Sequence, residues 1–299
     1  MRRNFLEFLK INEVEYKEKE KIAKYSSVKI GGVADVIIFP DSRESLIQSF
    51  DACIMQGVAV KTVGKLSNVL PSDNDYRGAI VKTDKMKNIV FNEGTLSIDA
   101  GASLPFVAFK CAEIGLSGFE ELSGIPGSIG GAILSNAGAF GREISELLVE
   151  IVAYHIQSKE ITHIKSQDAR FGYRDSIFKA GEYIILSAVF RLANTESKII
   201  FDKMASYRDI RIKTQPTNMP SLGSCFKRPS IDISAGKLID ECGLKGFAIG
   251  GAEISKKHAG FIVNTSGATS KDYLAVLNYA RAKVEERFNI LLENEIEIM

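Results

Sequence analysis

Between Gly115 and Gly141 the chain places eight of its 25 glycines in 27 residues. Each glycine inside a regular helix or strand costs ~0.5–1 kcal/mol of backbone entropy, so this stretch is not expected to form ordinary secondary structure. Its centre, Gly124-Ile125-Pro126-Gly127-Ser128-Ile129-Gly130-Gly131-Ala132, runs into Asn136-Ala137-Gly138-Ala139-Phe140-Gly141. Without Cβ atoms, successive N–H groups can converge on a phosphate or lie against a flat ring. The alternative is an elaborate turn between two helices, and the glycines alone do not choose. Neither GxGxxG after a strand nor GxxxxGK[ST] occurs, which argues against a Rossmann dinucleotide site and a P-loop NTPase. A second, weaker candidate is Val63-Gly64-Lys65-Leu66-Ser67-Asn68-Val69-Leu70, which supplies amides, a hydroxyl and a carboxamide after a strand, as an anion-holding turn does.

On either side of the glycines, strand and helix signals alternate. Val33 to Phe39 is an apolar run closed by Pro40. Asp41 or Ser42 can cap a helix reaching about Gln56, with Gly57 as its stop. Strands are expected over Val58 to Val63, Ala79 to Lys82, Ile89 to Phe91 and Leu96 to Ala100. Ser103 should cap a helix that ends at Gly115. Further strands are expected over Val149 to His155, Ile161 to Ile164 and Tyr183 to Leu192. The polar stretch Asn194 to Glu196 reads as a domain boundary, followed by a helix to about Lys213 and breaks at Gln215-Pro216 and Pro220. Near the C-terminus, Tyr273, Val276, Leu277, Ala280, Val284 and Phe288 form a helical apolar stripe.

Lys and Arg total 38 against 37 Asp and Glu, so no net field draws in nucleic acid or an anionic membrane. An acidic ligand needs a local basic site. The start, Met1 to Lys10, is interrupted by Glu7 and Lys10 and reads as an amphipathic helix rather than a signal peptide. No apolar run approaches the ~20 residues that span a bilayer. Cys53, Cys111, Cys225 and Cys242 are scattered without a CxxC pair, so reduced thiols are expected. Among the histidines, His155 and His163 belong to an expected hairpin and lack companions at metal-ligand spacing; no metal site is expected. His258 reads as a packed structural residue. At 299 residues, two or possibly three domains are expected.

A further set of short segments falls in a distinctive order. It comprises Tyr25-Ser26-Ser27-Val28-Lys29-Ile30-Gly31-Gly32, the Gly124 to Gly141 centre, Tyr173-Arg174-Asp175-Ser176 and Gly223-Ser224-Cys225-Phe226-Lys227-Arg228-Pro229. Ala235-Gly236-Lys237-Leu238-Ile239, Gly243-Leu244-Lys245-Gly246, Lys257-His258-Ala259-Gly260-Phe261 and Leu292-Glu293-Asn294-Glu295-Ile296 follow. This order resembles the UDP-N-acetylenolpyruvoylglucosamine reductase family, also called UDP-N-acetylmuramate dehydrogenases, across nearly the whole chain. The resemblance implies an α+β fold. A FAD-binding region of the vanillyl-alcohol-oxidase type would occupy residues 1–195, as two subdomains split near 83, and a substrate domain residues 196–299. It further implies noncovalent FAD, in keeping with the lack of a histidine tether in the glycine-rich centre, and NADPH as electron donor. Gly64, Lys65, Leu66, Ser67, Asn68, Ile125, Pro126, Gly127, Gly130, Gly131, Asn136 and Gly138 are the implied cofactor contacts. A cytoplasmic monomer of peptidoglycan synthesis is expected, with no nucleic acid partner and no membrane insertion. No insertion carrying a lid tyrosine is evident, as in the shorter branch of the family. Two departures stand out: Leu66 replaces a usual glycine, and Arg228 a usual asparagine.

The implied substrate, UDP-N-acetylglucosamine enolpyruvate, carries a carboxylate on its C=C. Hydride arriving at the terminal carbon leaves carbanion character beside that carboxylate, and a proton must follow. Arg174 is the implied carboxylate grip, because its fork can hold two oxygens; Ser224 is the implied proton donor. Glu295 by alternation shares a face with Glu293 and Glu297 and reads as a solvated carboxylate; the resemblance makes it an active-site acid. Tyr173, Arg211, Lys213, Lys227 and Arg228 are the candidates for holding the substrate and its diphosphate. Two alternatives remain at this point: a flavin oxidoreductase with another substrate, and a flavin-deficient binding paralogue suggested by Leu66.

Overall fold

A computed structural model describes residues 3–92 and 94–299; of the expected N-terminal helix, Met1 and Arg2 lie outside them. The chain divides into two compact units. One takes Met1–Glu18, Val36–Lys65 and Gly78–Asp209; the other takes Lys19–Asp35, Leu66–Arg77 and Ile210–Met299.

In the first unit, the helix Arg43–Met55 begins as its sequence dictates. The Ser42 hydroxyl accepts the Ser45 N–H at 3.1 Å, and Gly57, at φ +61°, follows its end. The strand Val60–Val63 runs parallel to Tyr76–Lys82, with Val60 opposite Ala79. These two belong to a sheet ordered Glu15–Lys21, Val33–Phe39, Tyr76–Lys82, Val60–Val63. A second sheet has five antiparallel strands, ordered Glu160–Lys165, Leu148–His155, Tyr183–Phe190, Thr95–Asp99, Ile89–Asn92. Alternation along a strand sends neighbouring side chains to opposite faces. Here both faces are buried. Ile151, Ala153 and Ile185 enter the core around Leu96, Val107, Phe119 and Ile133, while Val152, Tyr154, Ile184 and Leu186 enter the core around Phe5, Leu46, Phe50 and Val81. Strands buried on both sides read as near-continuous apolar runs, as Tyr183 to Phe190 does with only Ser187 to interrupt it.

Two expectations change in the first unit. Ser103 stands before the helix Leu104–Glu113, yet its hydroxyl caps nothing. The first helical amide, on Leu104, instead donates to the Gly127 carbonyl at 3.1 Å and ties the glycine-rich segment down. That segment was expected to avoid regular structure, but it forms the short helix Ile129–Leu134, capped by Ser128. Gly130 is tolerated inside it for a packing reason. A Cβ on Gly130 would lie 2.9 Å from the Ala100 Cβ, so only glycine lets this helix approach the strand end so closely.

The second unit holds an antiparallel sheet ordered Ser221–Ser224, Phe261–Asn264, Ala252–Ile254, Ala248–Ile249. The helices Ala235–Glu241 and Ser270–Phe288 pack on the same core. The stripe Tyr273, Val276, Leu277, Ala280, Val284 is buried as expected, with Phe288 partly covered. The last residues were expected to alternate as one strand. Only Glu297–Ile298 is a strand, paired in parallel with Val69–Leu70, and Ile298 is exposed rather than inward.

Candidate active site

Ser224 owes its place to its neighbours. Gly223 sits at φ +79°, where an L side chain is strained, and a register shift between Ser221 and Ser224 marks a bulge. Cys225 is buried, with its sulfur 3.2 Å from the Tyr273 hydroxyl. Burial pushes its thiol up to about 11, which keeps it a neutral core anchor at pH 7. A bulge on one side and an anchor on the other thus fix Ser224 between them.

The chain then pairs with its own C-terminal segment. The Lys227 N–H donates to the Glu293 carbonyl at 2.9 Å, Phe226 bridges Asn294, and the Glu295 N–H donates to the Cys225 carbonyl at 2.9 Å. This pairing places Glu295 opposite Cys225, so that the segments carrying Ser224 and Glu295, 71 positions apart in sequence, run side by side. The Asn68 amide donates to the Glu295 carbonyl at 3.0 Å and holds the same segment from the other side. Glu295 is half-buried while Glu293 is exposed, so the solvated-carboxylate reading does not fit Glu295. Glu293 fits it, as the partner of Lys227 at 3.3 Å.

Arg174 belongs to the first unit and adopts φ +55°, a left-handed conformation that is uncommon outside glycine and clusters at functional positions. Its guanidinium donates to the Gly138 carbonyl at 2.9 Å and the Asn136 carbonyl at 3.4 Å, and lies 5.2 Å from the centre of the exposed Tyr173 ring. A Cβ on Gly138 would fall 3.4 Å from the Arg174 Nη1 and 2.9 Å from the Arg142 carbonyl. The glycine clears the arginine's path.

Asn136 was expected to contact the cofactor, and its side chain is committed elsewhere. It is buried, donates to Glu143 at 2.7 Å and to the Gly172 carbonyl at 3.0 Å, and accepts the Ser145 N–H at 3.3 Å. It fastens the glycine-rich segment to the loop carrying Arg174. Two glycine amides are likewise engaged within the protein. Gly130 donates to the Ala100 carbonyl at 2.8 Å and Gly131 to the Ser128 hydroxyl at 3.3 Å, so neither N–H cradles a phosphate. What they leave open is Cα surface, since Gly131 is exposed and Gly127 and Ile125 are half-exposed. That is a wall for a flat ring.

The Gly64 turn lies against this wall. A Cβ on Gly64 would stand 2.3 Å from the Ser128 Oγ, so the turn and the glycine-rich segment meet only because residue 64 is glycine. Leu66 takes φ +51° and is 3% exposed. That left-handed backbone is one glycine adopts freely, and here the leucine side chain is buried. Ser67 and Asn68 follow, half-exposed. The exposed glycine surface with Gly64 against it is chemically suited to lie along a flavin.

Among the basic candidates, Arg211 and Lys213 lie at the end of the helix Ser197–Thr214. Arg211 is largely buried, which lowers its pKa, and it donates to Gln215 at 3.3 Å. Lys213 and Arg228 are exposed. His258 is a packing residue as expected. Its Nδ1 accepts the Gly260 N–H at 3.1 Å, and a Cβ on Gly236 would meet its Cε1 at 3.0 Å. The Ala235-Gly236-Lys237 and His258-Ala259-Gly260 segments are therefore two halves of one contact. Among the described residues no group of His, Cys, Asp and Glu is arranged to hold a metal.

Comparison with known proteins converges on one family. The family model described as UDP-N-acetylenolpyruvoylglucosamine reductase, C-terminal domain, matches residues 215–299, and one described as FAD binding domain matches residues 34–155. The reductase of that name from Fervidobacterium nodosum is 39% identical over 280 residues, covering 93% of this chain and 90% of the relative. That of Streptococcus pneumoniae is 36% identical over 299 residues, covering 100% and 98%. The crystal structure of the Thermus caldophilus enzyme superposes with a TM-score of 0.80 at 30% identity, over 95% of this chain and 98% of that one. With relatives this similar along its whole length, the chain belongs to the UDP-N-acetylenolpyruvoylglucosamine reductase family.

Proposed function

We propose that this protein reduces UDP-N-acetylglucosamine enolpyruvate to UDP-N-acetylmuramate with electrons from NADPH and bound FAD, in the cytoplasmic assembly of peptidoglycan precursors. The observation that supports the reading is the pairing of Cys225–Lys227 with Glu293–Glu295, which puts the segment carrying Ser224 beside the segment carrying Glu295 in the unit matching the reductase C-terminal domain. Residues 1–195, split near 83, serve as the FAD-binding region, and residues 196–299 as the substrate domain of a monomer. No helix among the described residues is long and apolar enough to cross a membrane.

When bound, the flavin supplies the two-electron transfer from nicotinamide to the substrate's C=C. The protein's residues do the rest. Arg174, preset by two backbone carbonyls, holds the substrate carboxylate and stabilises charge as it develops there. Ser224 gives its proton to the carbon beside that carboxylate; serine is a weak acid, but the carbanion is strongly basic. Glu295, on the adjoining segment, acts as the acid that assists Arg174 and Ser224. Tyr173, Arg211, Lys213, Lys227 and Arg228 supply the contacts for the rest of the substrate.

The direct test is colour. Purified protein carries yellow FAD that is released on denaturation, and NADPH bleaches it without oxygen. Flavin that stays attached to the unfolded chain contradicts the noncovalent reading, and a colourless protein that FAD cannot reconstitute contradicts the enzyme reading.

A further inference from the structure

Lys82 ends the strand Tyr76–Lys82 with a side chain only 1% exposed, a rare state for lysine. It follows Ala79, Ile80 and Val81, all fully buried. Its ammonium donates to the Gly64 carbonyl at 2.8 Å and pairs with Asp84 at 3.1 Å. Burial lowers its pKa and Asp84 opposes that shift, while Lys65 adds to it. A buried ion pair is a poor source of stability, because an apolar side chain of the same volume does as well or better. Its position points to another purpose.

The key is the peptide that Lys82 holds. All described peptide bonds are trans, and in a planar trans peptide the C=O and the following N–H point to opposite sides. Fixing the Gly64 carbonyl inward on Lys82 therefore turns the Lys65 N–H outward. That N–H makes no backbone hydrogen bond among the described residues. The peptide stands at the turn where Gly64 meets Ser128 of the glycine-rich segment.

We propose that Lys82 is a positioning residue for the cofactor: by holding the Gly64 carbonyl it aims the Lys65 amide at the FAD diphosphate. The inference rests on the cofactor reading above. Lys82 touches no part of the flavin; it acts through one peptide plane. An outward amide is useful only to a ligand that carries an anion at that turn, so loss of Lys82 should discriminate between ligands.

The experiment titrates apoprotein with FAD and with riboflavin, which has the same ring and no diphosphate. Wild type is compared with Lys82→Met, which keeps the volume, and Lys82→Arg, which keeps the charge and donors; flavin fluorescence reports binding and thermal unfolding reports the fold. FAD binding is expected to weaken about tenfold or more in Lys82→Met, the effect of one misdirected hydrogen bond to a charged group. Riboflavin should change by less than about twofold, and Lys82→Arg should recover part of the FAD affinity. Equal weakening of both ligands, unchanged FAD affinity, or loss of the fold in both variants assigns Lys82 to the core and overturns the inference. Failure of the wild type to bind FAD would instead overturn the cofactor reading on which it rests.

Discussion

At the scale of single residues, two left-handed positions behave differently. Arg174 at φ +55° stores strain that the surrounding carbonyls must hold. Lysine at 174 keeps the charge but loses the planar fork, so Arg174→Lys should fold and bind FAD normally. Reduction of substrate should slow roughly ten- to a hundred-fold, the worth of a charge-assisted hydrogen bond at ~1.5–3 kcal/mol. Single-turnover kinetics at saturating substrate measure this, and wild-type rates would remove Arg174 from the chemistry. Leu66 invites the opposite expectation from its backbone alone. Glycine there would relieve ~1–2 kcal/mol of left-handed strain. The leucine side chain is 3% exposed, however, and deleting a buried leucine costs ~2–5 kcal/mol. Leu66→Gly should therefore lower stability by about 1–3 kcal/mol in denaturant titration, although a sequence comparison would restore the glycine. A more stable variant would mean that the strain outweighs the packing.

Elements explain why some of the site was legible in the sequence and some was not. The strands and the long helix follow from local periodicity and capping, and the Ser42 cap and the Tyr273 to Val284 stripe lie where the residues placed them. The short helix Ile129–Leu134 was missed because one of its glycines, Gly130, answers to a neighbour, Ala100, thirty positions away. Glu295 was misread by alternation because its segment is held by isolated bridges to Cys225–Lys227 rather than by a strand ladder. Asn136 and Lys82 were illegible as supports, since each acts through partners brought in from elsewhere: Gly172 and Ser145 for one, Gly64 for the other. The element that presents Ser224 gives a test of its own. Nothing crowds Gly223, so its requirement is conformational: φ +79°. Gly223→Ala should destabilise the protein by ~1–2 kcal/mol and misplace the hydroxyl, lowering substrate turnover more than NADPH oxidation by the flavin. Equal loss in both half-reactions would mean that the bulge serves the fold rather than Ser224.

For the whole molecule, chemistry divides along the chain as the family relation suggests. The Gly124 to Gly141 segment and Arg174 lie in the first unit, and Ser224 and Glu295 in the second. Bulk properties carry little of this: a chain with 38 basic and 37 acidic residues must recognise an anionic nucleotide sugar through local groups. The central claim is that Ser224 acts on the substrate carbon and not on the nicotinamide. The most direct measurement is anaerobic and stepwise: NADPH reduces the enzyme-bound flavin, then UDP-N-acetylglucosamine enolpyruvate is mixed in and the return of yellow colour is timed. Wild type should complete both steps. Ser224→Ala should bleach at the wild-type rate and lose most of the reoxidation by substrate. Reoxidation by Ser224→Ala at the wild-type rate, or equal loss of both steps, would contradict the account.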